Sequence, residues 1–224
     1  MKKTILTIAI GFSAFSLFAQ QATNAETGSN TNLTAQDATL LPKEKSDDFE
    51  WVVEQFADLG ILRYQIPGWD KLTVNQKLFV YYLTEAGYAG RDMIWDQNYR
   101  HNLEIRHALD QIVRDYKGNR ENGDWDKFIT YTKRVWFSNG IHHHYSTDKI
   151  IPEFSKTYFE SLLSATNTKL SADVVKIMFD PELDNKKVNL DADADLLLSS
   201  ATNFYGVDVS QKDAEAYYAT KIDP

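Results

Sequence analysis

The sequence of 224 residues contains no cysteine. A chain without thiols has no disulfide framework, no thiolate zinc site, no iron–sulfur cluster and no cysteine nucleophile. Basic residues are also scarce, with 24 lysines and arginines against 32 aspartates and glutamates and a formal net charge of -8. Because no local basic cluster offsets this charge, the composition argues against nucleic acid and an anionic membrane surface as partners.

Residues 1–25 differ from the rest of the chain. Two lysines near the start are followed by residues 4–19, a run that is uncharged and mostly apolar or small. This pattern is typical of a secretory signal peptide, and the run is short for a membrane span of ~20 residues. A retained N-terminal anchor is the alternative. We expect an exported, periplasmic or secreted protein that is soluble once the leader is removed, with residues 26–45 as a flexible linker.

Helical spacing of apolar residues dominates residues 46–224 and predicts a mainly α fold, or α+β with a few short strands. About eight helices and at most two or three strands are expected. A short strand is expected over Ile61–Ile66. The expected helices are Asp47–Leu59, Thr73–Gly87 opened by a capping box, Tyr99–Lys117, one capped by Asp124, one starting at Pro152, one capped by Ser171, Asp193–Phe204, and one capped by Ser210.

Three consecutive histidines, His142, His143 and His144, are the most unusual local feature of the sequence. Metal binding is one interpretation. Adjacent side chains point in different directions on a regular backbone, however, so three in a row seldom bind one ion. The alternatives are a loop that faces a ligand, or a structural role with one histidine in the core, one bonded to a loop and one in solvent.

Two other groups of residues resemble metal or catalytic motifs without completing them. Asp191, Asp193 and Asp195 match the start of a calcium loop, but the glycine and glutamate that should follow are leucine and threonine. Helix capping explains these aspartates more simply. His101, Glu104 and His107 lie three residues apart, without the spacing of a zinc helix, and are expected on a solvated face.

Several long strings resemble the N-terminal part of bacterial dipeptidyl peptidase III-like proteins, which are zinc metallopeptidases, and most of all the Bacteroidetes type. The similarity runs from about Phe49 to the end of the chain. The strings are Phe56–Gly68, Leu78–Tyr82, Glu85–Asp92, Trp95–Asn98, Trp136–Ser146 and Ala201–Gly206.

The resemblance implies an enzyme that releases dipeptides from peptide N-termini, with two lobes around a wide cleft. Its zinc is held by a His-Glu-x-x-Gly-His helix and a later glutamate motif, and neither motif occurs in this sequence. The chain is therefore expected to be a partial lobe that binds no metal, carries no catalytic residue and is inactive alone. Its expected partners are a peptide substrate and the remaining C-terminal part of the enzyme.

The resemblance implies that this lobe binds the extended peptide substrate. Residues 139–145 are expected to form a turn that offers amide, imidazole and phenol groups to a peptide backbone. This turn is the candidate substrate-binding site. The alternative function is a secreted, non-catalytic helical module that binds a peptide or a partner. The candidate substrate-binding residues are Asn139, Gly140, Ile141, His142, His143, His144 and Tyr145.

Overall fold

The structure is a computed structural model that describes residues 49–221. The predicted leader and the linker of residues 26–45 lie outside this range. Of the described residues, 49–55 and 59–65 form one compact unit, and residues 56–58 and 66–221 form a second. No helix within the described range is long and apolar enough to cross a membrane.

The predicted mainly α class is confirmed, with one small sheet of two strands in the described residues. A 3₁₀ turn, Trp69–Lys71, precedes the first helix. The strands are β1 (Val52–Phe56) and β2 (Leu59–Leu62), and the helices are α1 (Val74–Ala89), α2 (Arg91–Asn98), α3 (Asn102–Asp115), α4 (Gly123–Ser138), α5 (Lys156–Ala165), α6 (Ala172–Phe179) and α7 (Gln211–Ala219).

The first predicted helix, Asp47–Leu59, is wrong, because β1 occupies this region. The apolar spacing here is helical, but β-branched and aromatic residues such as Val52, Val53 and Phe56 favour a strand, and β1 pairs with β2. A two-residue turn at Ala57, whose φ is 49°, connects β1 to β2. The second strand therefore lies earlier than the predicted Ile61–Ile66.

Capping residues set most helix ends. Three predicted caps are confirmed: the capping box of Thr73 with Gln76, and the side chains of Ser171 and Ser210. Two predicted starts are wrong, since α4 is capped by Asn122 and α5 by Ser155. The side chains of Asn122 and Ser155 accept bonds from the first-turn amides of Trp125 and Tyr158, so α4 begins earlier than predicted from Asp124 and α5 begins later than Pro152.

Two other predicted helices need correction. The predicted helix Tyr99–Lys117 is shorter, because Tyr99 is extended and separates α3 from α2, a helix that the sequence pattern did not indicate. Residues 193–204 form turns rather than a helix. The carboxylate of Asp195 accepts bonds from the amides of Leu197 and Leu198, and an aspartate that bonds its own backbone competes with helix formation.

The core lies between α3, α4, α5 and α6. Ile105, Leu109 and Ile112 recur at three- and four-residue spacing on α3 and are fully buried. Aromatic rings fill the opposite side. Phe154, in the connection before α5, contacts the rings of Phe128 and Phe179 edge-on, with centroids 5.6 and 5.7 Å away. Burial of these side chains provides the main stabilisation of this unit.

Helix α1 differs from the core helices, because every one of its residues is at least partly exposed. Its apolar residues lie on several sides rather than on one stripe. Phe79 and Leu83, on one side, are 64% and 55% exposed, and Tyr81, on the opposite side, is 45% exposed. A helix that is apolar all round has the composition of a buried helix, so α1 presents a surface suited to burial against another element.

Arg106 connects α2, α3 and α4 through a network of charges and rings. Its guanidinium pairs with Asp92 of α2 and lies 5.3 Å from the ring centroid of Trp95, and its Nε is 3.6 Å from the carboxylate of Asp110. The same carboxylate accepts a bond from the indole nitrogen of Trp136 at 2.8 Å. The hydrogen bond from Arg106 lowers the pKa of Asp92.

Replacement of this arginine should therefore destabilise the fold. We expect Arg106→Met to lower the free energy of unfolding by about 2 kcal/mol, because it removes charge-assisted hydrogen bonds and the contact with Trp95. Urea denaturation would measure the change. Arg114→Met, at a more exposed position on the same helix, is the control and should cost less than about 0.5 kcal/mol. Equal effects of the two substitutions would contradict the structural role of Arg106.

Candidate functional site

The candidate loop, residues 139–145, begins where α4 ends. Asn139 adopts the left-handed conformation, with φ at 52°, and its amide bonds back to the carbonyl of Trp136. Gly140 follows with φ at 150°, and its amide bonds to the carbonyl of Val135. Asparagine and glycine tolerate these angles better than other residues do, so the sequence itself stops the helix here.

A buried asparagine, Asn102, fixes the direction in which the chain leaves α4. Its Oδ1 accepts the amide of Ile141 at 3.1 Å, and its Nδ2 donates to the carbonyl of Trp95 at 3.1 Å. A Cβ at Gly140 would lie 2.2 Å from Nδ2 of Asn102, so only glycine leaves room for this side chain. The side chain of Asn102 thereby ties α2 and α3 to the start of the loop.

The chain then turns back on itself as a narrow hairpin. The amide of Ile150 donates to the carbonyl of Ile141 at 2.7 Å, and the amide of His143 donates to the carbonyl of Asp148 at 2.7 Å. Thr147, with φ at 64°, makes the tight reversal possible. The tip of this hairpin carries His143, His144 and Tyr145, whereas Ile141 is fully buried at its base.

The three consecutive histidines have three different environments. His142 is only 2% exposed, and its Nε2 donates to the carbonyl of Asp184 at 2.7 Å. The Nδ1 of His143 accepts the backbone amides of Tyr145 and Ser146 at 3.2 and 3.1 Å. The partly buried ring of His144 contacts neighbouring aromatic rings. Within residues 49–221, no group of three or more His, Asp or Glu could hold a metal ion.

Two of these imidazoles are held in the neutral form. Burial, with smaller contributions from the nearby Lys149 and Lys187, lowers the pKa of His142 to about 4, although the bond to Asp184 opposes this shift. Burial also lowers the pKa of His144, and the adjacent His143 adds to the effect. At neutral pH the loop therefore presents an uncharged imidazole at His144 beside the phenol of Tyr145.

An exposed stack of rings forms the accessible part of the site. The ring centroid of His144 lies 4.4 Å from that of His143, 4.5 Å from that of Tyr145 and 4.9 Å from that of Phe137 on α4. Tyr145 is 85% exposed and Phe137 is 40% exposed. We name these four residues the ring stack. It combines apolar faces with imidazole and phenol groups that can donate or accept hydrogen bonds.

The predicted substrate-binding residues thus separate into a buried and an accessible group. Gly140, Ile141 and His142 are buried and shape the loop, and Asn139 is partly buried with its carbonyl bonded to the side chain of Asn98. Only the residues of the hairpin tip are placed to contact a ligand. Phe137, which the sequence analysis did not single out, joins them because one turn of α4 brings it beside the loop.

The base of the loop is anchored by a buried lysine. Lys149, which is 8% exposed, donates its ammonium hydrogens to the carbonyls of Ile177, Asp180 and Leu183 at the end of α6. Burial lowers the pKa of Lys149. A cation at the carboxyl end of a helix satisfies carbonyls that have no partner within the helix, so this lysine fastens the hairpin to α6.

Sequence reasoning missed Asn102, Lys149 and Asp184, the residues that position the loop. For two of them the sequence contains a signal. Asn102 occupies a core position of α3, three residues before Ile105, where a polar side chain needs a specific partner. Lys149 directly precedes two isoleucines and a proline, so a lysine within an apolar segment indicated burial. The role of Asp184 depends on long-range contacts alone.

The other predicted groups lie apart from the loop tip. His101 contacts Glu104, as their spacing allows, and His107 is exposed on the same helix. Glu104 and Glu160 both line an open groove of about 500 Å³. Both carboxylates already have a basic partner, since Glu160 is 3.8 Å from the ammonium of Lys156. The two carboxylates are therefore less available to a ligand than the side chains of the ring stack.

Comparisons with known proteins add no relative to this picture. A scan of the chain against protein-family models finds no match, and a search of curated proteins finds none that matches it. Membership of the dipeptidyl peptidase III-like family therefore stays a prediction, based on the strings quoted above.

The close approach of Gly140 to Asn102 is directly testable. We expect Gly140→Ala to lower the free energy of unfolding by about 2 kcal/mol, because the new methyl group displaces Asn102 and the residue must keep a positive φ. Gly87→Ala, within α1 where a Cβ meets nothing within 4 Å, is the matched control and should not destabilise. If Gly140→Ala unfolds at the same urea concentration as the wild-type chain, the close contact with Asn102 does not stabilise the loop.

Proposed function

We propose that residues 46–224 are the N-terminal, substrate-gripping part of a secreted zinc-dependent dipeptidyl peptidase of the dipeptidyl peptidase III-like kind. In this proposal the whole enzyme releases dipeptides from peptide N-termini, and this chain contributes peptide binding. The observation that carries the proposal is the ring stack, an accessible group of aromatic and imidazole side chains on a rigidly anchored hairpin.

The anchoring of the hairpin supports a binding role. Loops that hold functional side chains are most effective when a rigid scaffold positions them, because less conformational freedom is lost on binding. Asn102 holds the base on one side and Lys149 holds it on the other. The exposed Tyr145 at the tip is supported through backbone bonds to the ring of His143. A peptide backbone could bond to the phenol and imidazoles while its side chains contact the ring faces.

The surface of α1 supports the part of the proposal that concerns a larger enzyme. Phe79, Tyr82 and Leu83 share one face of this helix and are all more than half exposed, and Tyr81 on the opposite side is 45% exposed. Exposed apolar area on this scale marks a surface that another protein element covers. In the proposal, the zinc-bearing C-terminal part of the enzyme supplies that element.

Zinc itself is not assigned to this chain. A catalytic zinc site needs three protein ligands with correct spacing, and the described residues offer no such group. The histidine run does not provide one, since His142 is committed to Asp184 and His143 to the loop backbone. The proposal therefore gives this chain substrate binding and no catalytic step.

The compact core supports a second candidate, a non-catalytic helical module that binds a peptide or a partner. The four helices α3 to α6 enclose their own buried cluster, with Leu109, Phe128 and Phe159 fully buried. Such a core is consistent with a unit that folds and binds without further chemistry. The two candidates share peptide binding by the ring stack and differ in whether a zinc-bearing partner completes an enzyme.

Peptide binding by the ring stack can be measured on the purified chain. We expect a fluorescent pentapeptide with a free amino end to bind, and His144→Ala and Tyr145→Ala each to weaken binding about tenfold, because each removes a ring face and a hydrogen-bonding group. Fluorescence anisotropy would give the affinities. Tyr64→Ala removes a similarly exposed phenol from the first unit and should leave binding unchanged. Equal affinity of all variants would remove the ring stack as the binding site.

Mixing experiments separate the two candidates. We expect the separately produced zinc-bearing C-terminal part of a dipeptidyl peptidase III-like enzyme to bind this chain and to release dipeptides only in its presence. Phe79→Glu should reduce that activity at least tenfold by placing a charge on the apolar surface of α1. Thr157→Glu adds the same charge on the exposed side of α5 and should have no effect. Peptide binding without association or dipeptide release would favour the non-catalytic module.

A further inference from the structure

His142 joins the candidate loop to a second segment of the chain, residues 180–188. Besides the bond from its Nε2 to the carbonyl of Asp184, backbone bonds connect the same two segments. The amide of Lys149 donates to the carbonyl of Asn185 at 2.8 Å, and the amide of Lys187 donates to the carbonyl of Thr147 at 2.8 Å. The imidazole therefore lies at the interface between the candidate loop and residues 180–188.

The surroundings of the imidazole provide no place for a second proton. Its Nδ1 is buried and has no hydrogen-bond partner among the described residues. The positive charges of two ammonium groups disfavour its protonation, that of Lys149 on the opposite arm of the hairpin and that of Lys187 on the second segment. The carboxylate of Asp184 is the facing negative group, but it is already bonded to the hydroxyl of Tyr99 and paired with Arg100.

The ring of Tyr99 packs against the imidazole of His142. It is fully buried at the end of α2, and its centroid lies 5.4 Å from that of His142 in an edge-on contact. The hydroxyl of Tyr99 is a neutral group, since burial and the neighbouring carboxylate raise its pKa. A protonated imidazole in this position would bear a positive charge near two ammonium groups, with a buried N–H that lacks an acceptor.

We propose that His142 is a pH-sensitive latch: the neutral imidazole holds the hairpin of residues 141–149 on the segment of residues 180–188, and its protonation releases the hairpin. The core formed by α3 to α6 stays folded when the latch opens. The inference concerns how the loop is docked and does not depend on what the loop binds. Its test uses no peptide, so its outcome is separate from that of the peptide-binding experiment.

The direction of the effect follows from the two states of the loop. The pKa of His142 is about 4 when the loop is docked, and an imidazole that reaches solvent titrates at about 6.5. Docking is thus fully stabilised above pH 6.5 and is weakened as the pH falls from 6.5 toward 4. Between pH 7.5 and pH 5 the opening equilibrium of the loop should rise about 30-fold, since only the open state takes up a proton readily.

Amide hydrogen exchange on the full chain tests the latch. We expect the protection factors of the Lys149 and Lys187 amides to fall about 30-fold between pH 7.5 and pH 5, while that of Ile112 in α3 changes less than threefold. In His142→Gln, the side-chain amide can still donate to the Asp184 carbonyl but does not titrate. The loop amides of this variant should therefore lose less than threefold of their protection.

His107→Gln is the matched control, because it removes an exposed histidine from α3 and should behave like the wild-type chain. An NMR titration of the His142 imidazole in the wild-type chain is a second measurement that needs no variant. Loop opening should follow the protonation of that ring. Unchanged loop protection at pH 5, a His142→Gln variant that opens like wild type, or parallel loss of protection at Ile112 would each overturn the latch.

Discussion

The geometry of the candidate site depends on the buried side-chain amide of Asn102. Its oxygen accepts the amide of Ile141, and its nitrogen donates to the carbonyl of Trp95, so that one side chain fixes α2, α3 and the exit from α4. A buried amide must satisfy its donors and acceptors, which gives such a residue little freedom to move. The hairpin leaves α4 in one direction because Gly140 allows this side chain to approach the backbone.

The base of the hairpin is buried and bonded to other segments, whereas its tip is accessible. Ile141, His142 and Lys149 are buried. The amide of Ile141 is bonded to the side chain of Asn102, and the side chains of His142 and Lys149 are bonded to backbone carbonyls of other segments, while Nδ1 of His142 has no partner among the described residues. At the tip, Tyr145 and the partly exposed rings of His143 and His144 remain accessible. Burial and bonding at the base reduce the motion of the tip, which lowers the entropic cost of binding a ligand there. The same burial makes the base sensitive to added charge.

The helices also differ in whether their apolar residues are buried within this chain or exposed on its surface. Residues of α3 such as Ile105 and Leu109 form one stripe and are fully buried, as expected for an amphipathic helix in a compact core. The apolar residues of α1 form no such stripe, and every residue of this helix remains at least partly exposed. The difference is physical, because a stripe needs one neighbour whereas an all-round apolar surface needs several. The exposed apolar surface of α1 supports the proposal of a larger enzyme.

Local chemistry explains the parts of the fold that the sequence predicted. The mainly α class, the core stripe of α3, and the caps Thr73, Ser171 and Ser210 depend on contacts within one or two helical turns. Where local patterns were ambiguous, the prediction was wrong. The region of β1 has helical apolar spacing but β-branched residues that favour a strand, and the pairing with β2 decides between the two.

The candidate loop shows the same division. The sequence by itself determined where α4 ends, since Asn139 and Gly140 are adapted to positive φ, and it determined that the histidines follow directly after that turn. Only the tertiary structure decided which imidazole is buried and which are accessible. That choice depends on Asp184 and Asn102, which lie about 40 residues away along the chain on opposite sides of the loop. Sequence spacing does not reveal such contacts, because they depend on how the helices pack against one another.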